Sequence, residues 1–111
     1  MDQQRQGKAT FLVAWLCREP VGFVLVKHQG IAGCFEAHDL YVVEAHRRRG
    51  YARRLIEAAE AAALARGAVW LGLKVRQDNE AARRLYDDRG YVVAPMPDVH
   101  WPEIFMRKDL L

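Results

Sequence analysis

Two runs rich in Phe, Val, Leu and Trp, Thr10–Cys17 and Val21–His28, flank the polar Arg18-Glu19-Pro20. That pattern predicts a β-hairpin. Gly30–Gly33 then turns the chain into Cys34–Val43, where alternating and continuous apolar positions predict a third, more buried strand. At this point the period changes. Ala52, Leu55, Ile56, Ala59 and Ala63 recur three or four residues apart along one stripe (52, 55/56, 59, 63), which predicts a helix from about Arg49 to Arg66 that buries that stripe. Gly67 supplies its left-handed stop, and Ala68–Val75, apolar on both faces, follows as a strand. Asn79 is placed to cap a second helix whose inner face is Ala82, Leu85 and Tyr86 and which Gly90 ends. Further strands are predicted from Tyr91 and over Ile104–Asp109, with Pro95, Pro97 and Pro102 forbidding regular pairing between them. The predicted order is β-β-β-α-β-α-β-β: an α/β (α+β) fold around a mixed, mostly antiparallel central sheet.

The chain has 111 residues, enough for one domain and too few for two cores. With 51% hydrophobic residues it should bury about 65% of its unfolded surface and fold without staples. The polar Met1–Ala9 is expected to be disordered, leaving residues 10–111 as a single domain. No apolar run approaches the roughly 20 residues a bilayer needs, and the first nine residues lack a signal-peptide core. A cytoplasmic protein with no membrane partner is expected. Cys17 and Cys34 show no C-x-x-C pair, so two reduced thiols are expected. His28, His46 and His100 lack metal-ligand spacing, and no metal is expected.

Charge sharpens the picture locally rather than globally. The net charge is only +3, yet thirteen of the seventeen cations are arginine, and Arg47, Arg48, Arg49, Arg53 and Arg54 follow one another without an intervening acid. They sit where a strand runs through a short loop into a helix start. The first amides of a helix are unpaired and carry the positive end of its dipole, so this segment is built to take an anion. Arginine's planar fork suits phosphate oxygens.

Arg47, Gly50 and Ala52 fit the loop pattern Arg/Gln-x-x-Gly-x-Gly/Ala, and Asn79, Ala82, Tyr86 and Gly90-Tyr91 fit N-x-x-A-x-x-x-Y-x-x-x-G-F/Y. With a helix and a buried strand between the two motifs, the chain from about Thr10 to Asp109 resembles the GNAT superfamily of acetyl-CoA-dependent N-acetyltransferases. The resemblance implies a truncated acyl-CoA N-acyltransferase fold with acetyl-CoA as the cofactor. Amides of Arg48, Arg49, Gly50, Tyr51 and Ala52 would cradle the pyrophosphate, with Arg47 and Arg53 adding charge. Main-chain groups of Leu40, Tyr41 and Val42 would pair with the pantetheine arm in a gap where this strand parts from Ala68–Val75. Asn79 would either cap its helix or touch the cofactor.

The reaction implied is direct attack of a neutral primary amine, of a small molecule or a protein, on the acetyl thioester. Tyr86 would be the acid that meets the departing sulfur; a phenol has a pKa near about 10. The amide of Val42 would hold the oxyanion. For the base, strand alternation puts Glu36, His38, Leu40 and Val42 on one face and Asp39 on the other, which makes Glu36 and His38 the leading pair. A solvated strand end is the alternative for them, as an ordinary core tyrosine is for Tyr86. Cys34 lacks a partnering His and is read as structural. Asp98, His100 and Trp101, in the loop before the last strand, are candidates for acceptor contact.

The resemblance also has a departure. Family members usually open with a strand and two helices that wall one side of the acceptor site, and nine polar residues cannot supply them. A minimal member, a fragment, or half of a dimer whose partner completes the groove would each fit. An unpaired Thr10–Cys17 edge argues for self-association as a homodimer. The alternative function is a non-catalytic acetyl-CoA or CoA-binding protein, or one half of a site completed by a partner subunit. Nucleic-acid binding through the arginines is disfavoured, because neither a tight helix-turn-helix nor an aromatic-basic sheet is written in the sequence.

Overall fold

The computed structural model of the chain describes residues 2–6 and 9–111. Seven strands form one sheet: β1 (Asp2–Gln6), β2 (Ala9–Leu16), β3 (Glu19–His28), β4 (Cys34–Val42), β5 (Trp70–Arg76), β6 (Val92–Val93) and β7 (Glu103–Asp109). Two helices, α1 (Tyr51–Ala65) and α2 (Glu80–Asp88), flank β5 in the chain, and a single 3-10 turn, Glu44–His46, precedes α1. The sheet order is β1-β2-β3-β4-β5-β7-β6. Every neighbouring pair is antiparallel except β4 and β5, which run parallel because α1 carries the chain across between them.

From β2 onward the elements arrive in the predicted order, with ends shifted by up to two residues. The hairpin is tighter than expected. Only Cys17 and Arg18 lie between β2 and β3, both at positive φ, 50° and 72°, as a two-residue type I′ loop has. Pro20 is therefore inside β3, opposite Trp15, and is accommodated because the register slips between Ala14 and Trp15. The first residues bring a correction. Of Met1–Ala9, expected to be disordered, Asp2–Gln6 form β1 on the edge of β2 and Ala9 opens β2 itself, while residues 1, 7 and 8 lie outside the described residues. A backbone ladder with β2 holds this strand, whose sequence has no apolar period. It covers β2 over Ala9–Val13, part of the Thr10–Cys17 edge that argued for self-association.

The core lies between the helices and one face of the sheet. Leu55, Ile56, Ala59, Ala62 and Ala63 of α1 are buried against Leu12, Val24, Val26, Ala37 and Val42. Burial of the Leu55 and Ile56 side chains alone contributes about 1.5–3 kcal/mol each. Tyr86 of α2 and Tyr91 close the same core over Leu71, Leu73, Val75 and Met106. Both helices therefore cover one face. The register places Phe11, Val13, Phe23, Leu25, Glu36, His38, Trp70, Gly72 and Phe105 on the other. Among the described residues no helix is long and apolar enough to cross a membrane.

Candidate active site

Two strands that begin side by side and then separate define the site. β4 and β5 pair at Cys34–Trp70, Phe35–Leu71, Glu36–Gly72 and Ala37–Leu73, and there the ladder stops, although β4 runs on to Val42 and β5 to Arg76. The cause is a bulge in β4. Leu25 of β3 faces His38 and Phe23 faces Tyr41, so three steps along β4 match two along β3. Asp39 sits at the bend with φ 57°, a left-handed conformation that a short polar side chain tolerates.

This bulge corrects the expected face assignment. Glu36 and His38 share a face, but the extra residue inverts the alternation beyond it, so Tyr41 joins them while Val42 is buried under α1 and Leu40 packs against that core. The backbone is sorted in the same way. Val43 donates its N–H to the Val21 carbonyl of β3 at 2.8 Å, so the groups of Val42, and of Leu40 before it, point away from β3 into the gap. The Val42 carbonyl is already engaged there, accepting from Arg47 Nε at 2.9 Å. Its amide faces the gap, as an oxyanion donor must.

The gap leads to the start of α1. Arg48 has φ 64° and Gly50 φ 85°, an alternation that turns successive amides toward one side as an anion-binding nest. Gly50 is the N-cap, no side chain caps the helix, and its first turn holds no acid. The first helical bond is Arg54 N–H to the Gly50 carbonyl, and no amide from Arg48 to Arg53 finds an acceptor among the described residues. A Cβ at Gly50 would meet nothing, so backbone conformation and not local space demands glycine there. Arg47 is braced by Val42 and by the Tyr41 ring, 5.6 Å from its guanidinium, whereas Arg48 and Arg53 make no ion pair or hydrogen bond among the described residues. Six unsatisfied amides and two uncommitted arginines fit a diphosphate.

The remaining candidates fall on two sides of the sheet. Tyr86 is 6% exposed on the helix side, its ring edge-on to Tyr91 at 5.8 Å. Its hydroxyl makes no hydrogen bond to the described residues, and burial pushes its pKa up to about 12. Glu36 and His38 lie on the opposite face, Nε2 of His38 3.7 Å from Oε1 of Glu36. That carboxylate is buried and its Oε1 has no hydrogen-bond partner. The acid and base candidates therefore lie on opposite faces of the sheet. Asn79 Oδ1 accepts from the Ala82 amide at 3.2 Å, so the capping role is realised. Asp98, His100 and Trp101 are all exposed, in a loop tethered by the Gln77 amide to the Pro102 carbonyl at 2.8 Å; this places the loop beyond the end of β5, and none of the three touches Glu36 or His38.

One cluster escaped the sequence reading. Glu60 of α1, 7% exposed, accepts from Arg89 Nη2 at 2.6 Å, Tyr91 Oη at 2.9 Å and Lys108 Nζ at 3.2 Å. These contacts tie α1, the end of α2 and β7 together behind Tyr86. The available signal was a carboxylate on the apolar stripe, four residues after Ile56 and three before Ala63.

Residues 2–91 match the model of the acetyltransferase (GNAT) family. The chain belongs to this family. An acetyltransferase of Sodalis glossinidius (strain morsitans) is 37% identical over 81 residues, 73% of this chain but 56% of that protein, so the chain spans about half the length of the curated relatives it matches. Among solved structures, the ribosomal-protein-S18-alanine N-acetyltransferase of Escherichia coli superposes with a TM-score of 0.82 at 21% identity, covering 96% of this chain and 72% of that one. The PaiA N-acetyltransferase of Thermoplasma acidophilum, solved with coenzyme A, gives a TM-score of 0.80 at 24% identity and covers 92% and 61%. At these identities the likeness establishes the fold: a GNAT sheet with its β4–β5 crossover.

Proposed function

We propose that this GNAT protein transfers an acetyl group from acetyl-CoA to a primary amine by direct attack. The observation that carries the reading is the parting of β4 from β5 after Ala37 and Leu73, in line with the acceptor-free amides of Arg48 to Arg53. Acetyl-CoA, as donor, supplies an activated thioester. In the transfer a C–N bond forms and the C–S bond breaks; the amine gives up a proton to the base, and coenzyme A leaves as its thiolate.

Each demand of that exchange has a group suited to it. The nest and the arginines hold the diphosphate. The Val42 amide meets the carbonyl oxygen as charge develops on it. On the open face Glu36 and His38 take the proton of the attacking amine. On the helix side Tyr86 faces the leaving sulfur. With its pKa near 12 it stays protonated at neutral pH and stabilises the thiolate by donating a hydrogen bond. The two-sided arrangement suits an amine entering from one face while sulfur departs toward the other.

Titration calorimetry with acetyl-CoA, followed by thiol release on addition of an amine panel, tests this reading. Saturable binding with amine-dependent thiol release is expected. Binding without release from any amine would favour the non-catalytic alternative, and no binding would overturn the site.

A further inference from the structure

The open face carries more than a base. Beside Glu36 and His38, one pair further along the sheet, Phe23 faces Tyr41 with ring centroids 5.8 Å apart, and Phe11 lies 5.4 Å beyond Phe23. With Val13, Pro20, Gly22 and Val43 they line a cleft of about 240 Å³. Among the described residues no acid or base lines it. The nearest carboxylate on this face of β4 is Glu36, whose Oε1 is buried without a hydrogen-bond partner. A buried carboxylate oxygen without a donor is costly, and a ligand N–H offsets that cost. The same face of β4 thus carries an apolar cleft on one side of the bulge and one unsatisfied acceptor on the other, and the β4–β5 ladder ends between the two.

We infer that the acceptor is a monoamine on an apolar, aromatic body: its nitrogen is held by Glu36 and His38 and its body lies in the cleft of Phe11, Phe23 and Tyr41. This deepens the proposed acetyl transfer and rests on it. The complementarity is of two kinds, a single cation for a single buried anion and a ring for a ring-lined wall. The further charges of a polyamine or an aminoglycoside would meet Phe and Val side chains of the described lining and gain no partner from them.

The experiment uses the full chain saturated with coenzyme A, titrated calorimetrically with 2-phenylethylamine, with its neutral analogue 2-phenylethanol and with spermidine. The amine binds best, spermidine at least about ten-fold more weakly, and the alcohol competes with the amine for one site. Glu36→Gln weakens the amine but not the alcohol. Phe23→Ala weakens both by about ten-fold. The Glu36→Gln comparison stands even if Phe23→Ala fails to fold. Equal or tighter spermidine binding, no competition by the alcohol, or no amine binding to a protein that takes up coenzyme A would each overturn the inference. So would a dimer in sedimentation that excludes the amine, because a second copy would then occupy the cleft. Failure of coenzyme A itself to bind is read separately, in the first titration, and removes the underlying reading.

Discussion

Tyr91 donates its hydroxyl to Glu60 at 2.9 Å while its ring stands edge-on to Tyr86 at 5.8 Å, so one side chain couples a buried carboxylate of α1 to the tyrosine of α2. Its amide adds a second tie, to the Tyr86 carbonyl at 2.9 Å. Glu60→Ala leaves the Arg89 and Lys108 cations without their shared acceptor and the Tyr91 hydroxyl without a partner. A loss of about 3 kcal/mol is expected, the low end for breaking a buried pair because Arg89 and Lys108 still reach solvent. Urea unfolding measures it, as a fall in midpoint with unchanged slope. An unchanged midpoint would show that the cluster contributes nothing net.

The same two tyrosines set an alkaline limit. Both phenols are raised, Tyr86 by burial to about 12 and Tyr91 further, by burial and then by the Glu60 charge. Below about pH 10 each is neutral whether folded or unfolded, and neither makes stability depend on pH. Above it the unfolded chain loses protons that the folded chain keeps, so stability falls as pH rises through the folded values. Thermal melts between pH 9 and 12 should show that decline, less steep in Tyr86→Phe. Equal slopes in the two proteins would contradict the raised value for Tyr86.

How much of this was written in the sequence depends on which force placed each residue. The stripe of Leu55, Ile56, Ala59 and Ala63 was legible because helical burial repeats every three or four residues, and the core used those positions. β1 was not, since Asp2–Gln6 joins the sheet through backbone groups that every residue carries. The bulge at Asp39 had no glycine to announce it. It inverted the face of everything after His38 and moved Leu40 and Val42 from the side of Glu36 to the side of α1. Of the site, the Gly50 turn, the Asn79 cap and the Glu36–His38 pair were readable from local chemistry. The gap itself came only from family resemblance, and the ladder ending at Ala37 and Leu73 now supplies it physically.

At Gly50 the backbone has φ 85°, so Gly50→Ala should cost about 1 kcal/mol through strain alone, since its Cβ meets nothing. Gly50→Glu adds a carboxylate beside amides proposed to hold a diphosphate. A folded chain by circular dichroism that no longer binds acetyl-CoA calorimetrically is expected. Retained affinity in Gly50→Glu would move the anion site elsewhere.

Asn79 separates capping from recognition. Its Oδ1 satisfies the Ala82 amide, and Asn79→Ala should cost about 1 kcal/mol of stability. Asn79→Asp keeps an acceptor at the cap and adds favourable charge at the helix start. If the residue only caps, both variants bind acetyl-CoA as the parent does. A selective loss of affinity in Asn79→Asp, with stability intact, would give its side chain a part in holding the donor.

Gly72 is the test of the open face. It lies directly across from Glu36 on β5, and a Cβ there would overlap the rings of Phe105 and Trp70, which stand edge-on to each other at 5.9 Å. Phe105 is 3% exposed and cannot simply swing into solvent, so Gly72→Ala forces a shift in a packed layer. A cost of about 1–3 kcal/mol is expected, against the usual gain when alanine replaces a strand glycine. Its second effect is functional: displaced rings crowd the Glu36 carboxylate, so the acceptor KM should rise while the affinity for acetyl-CoA, bound across the gap, is unchanged. Calorimetry and acceptor kinetics on the same preparation distinguish this from general damage, in which both would deteriorate together.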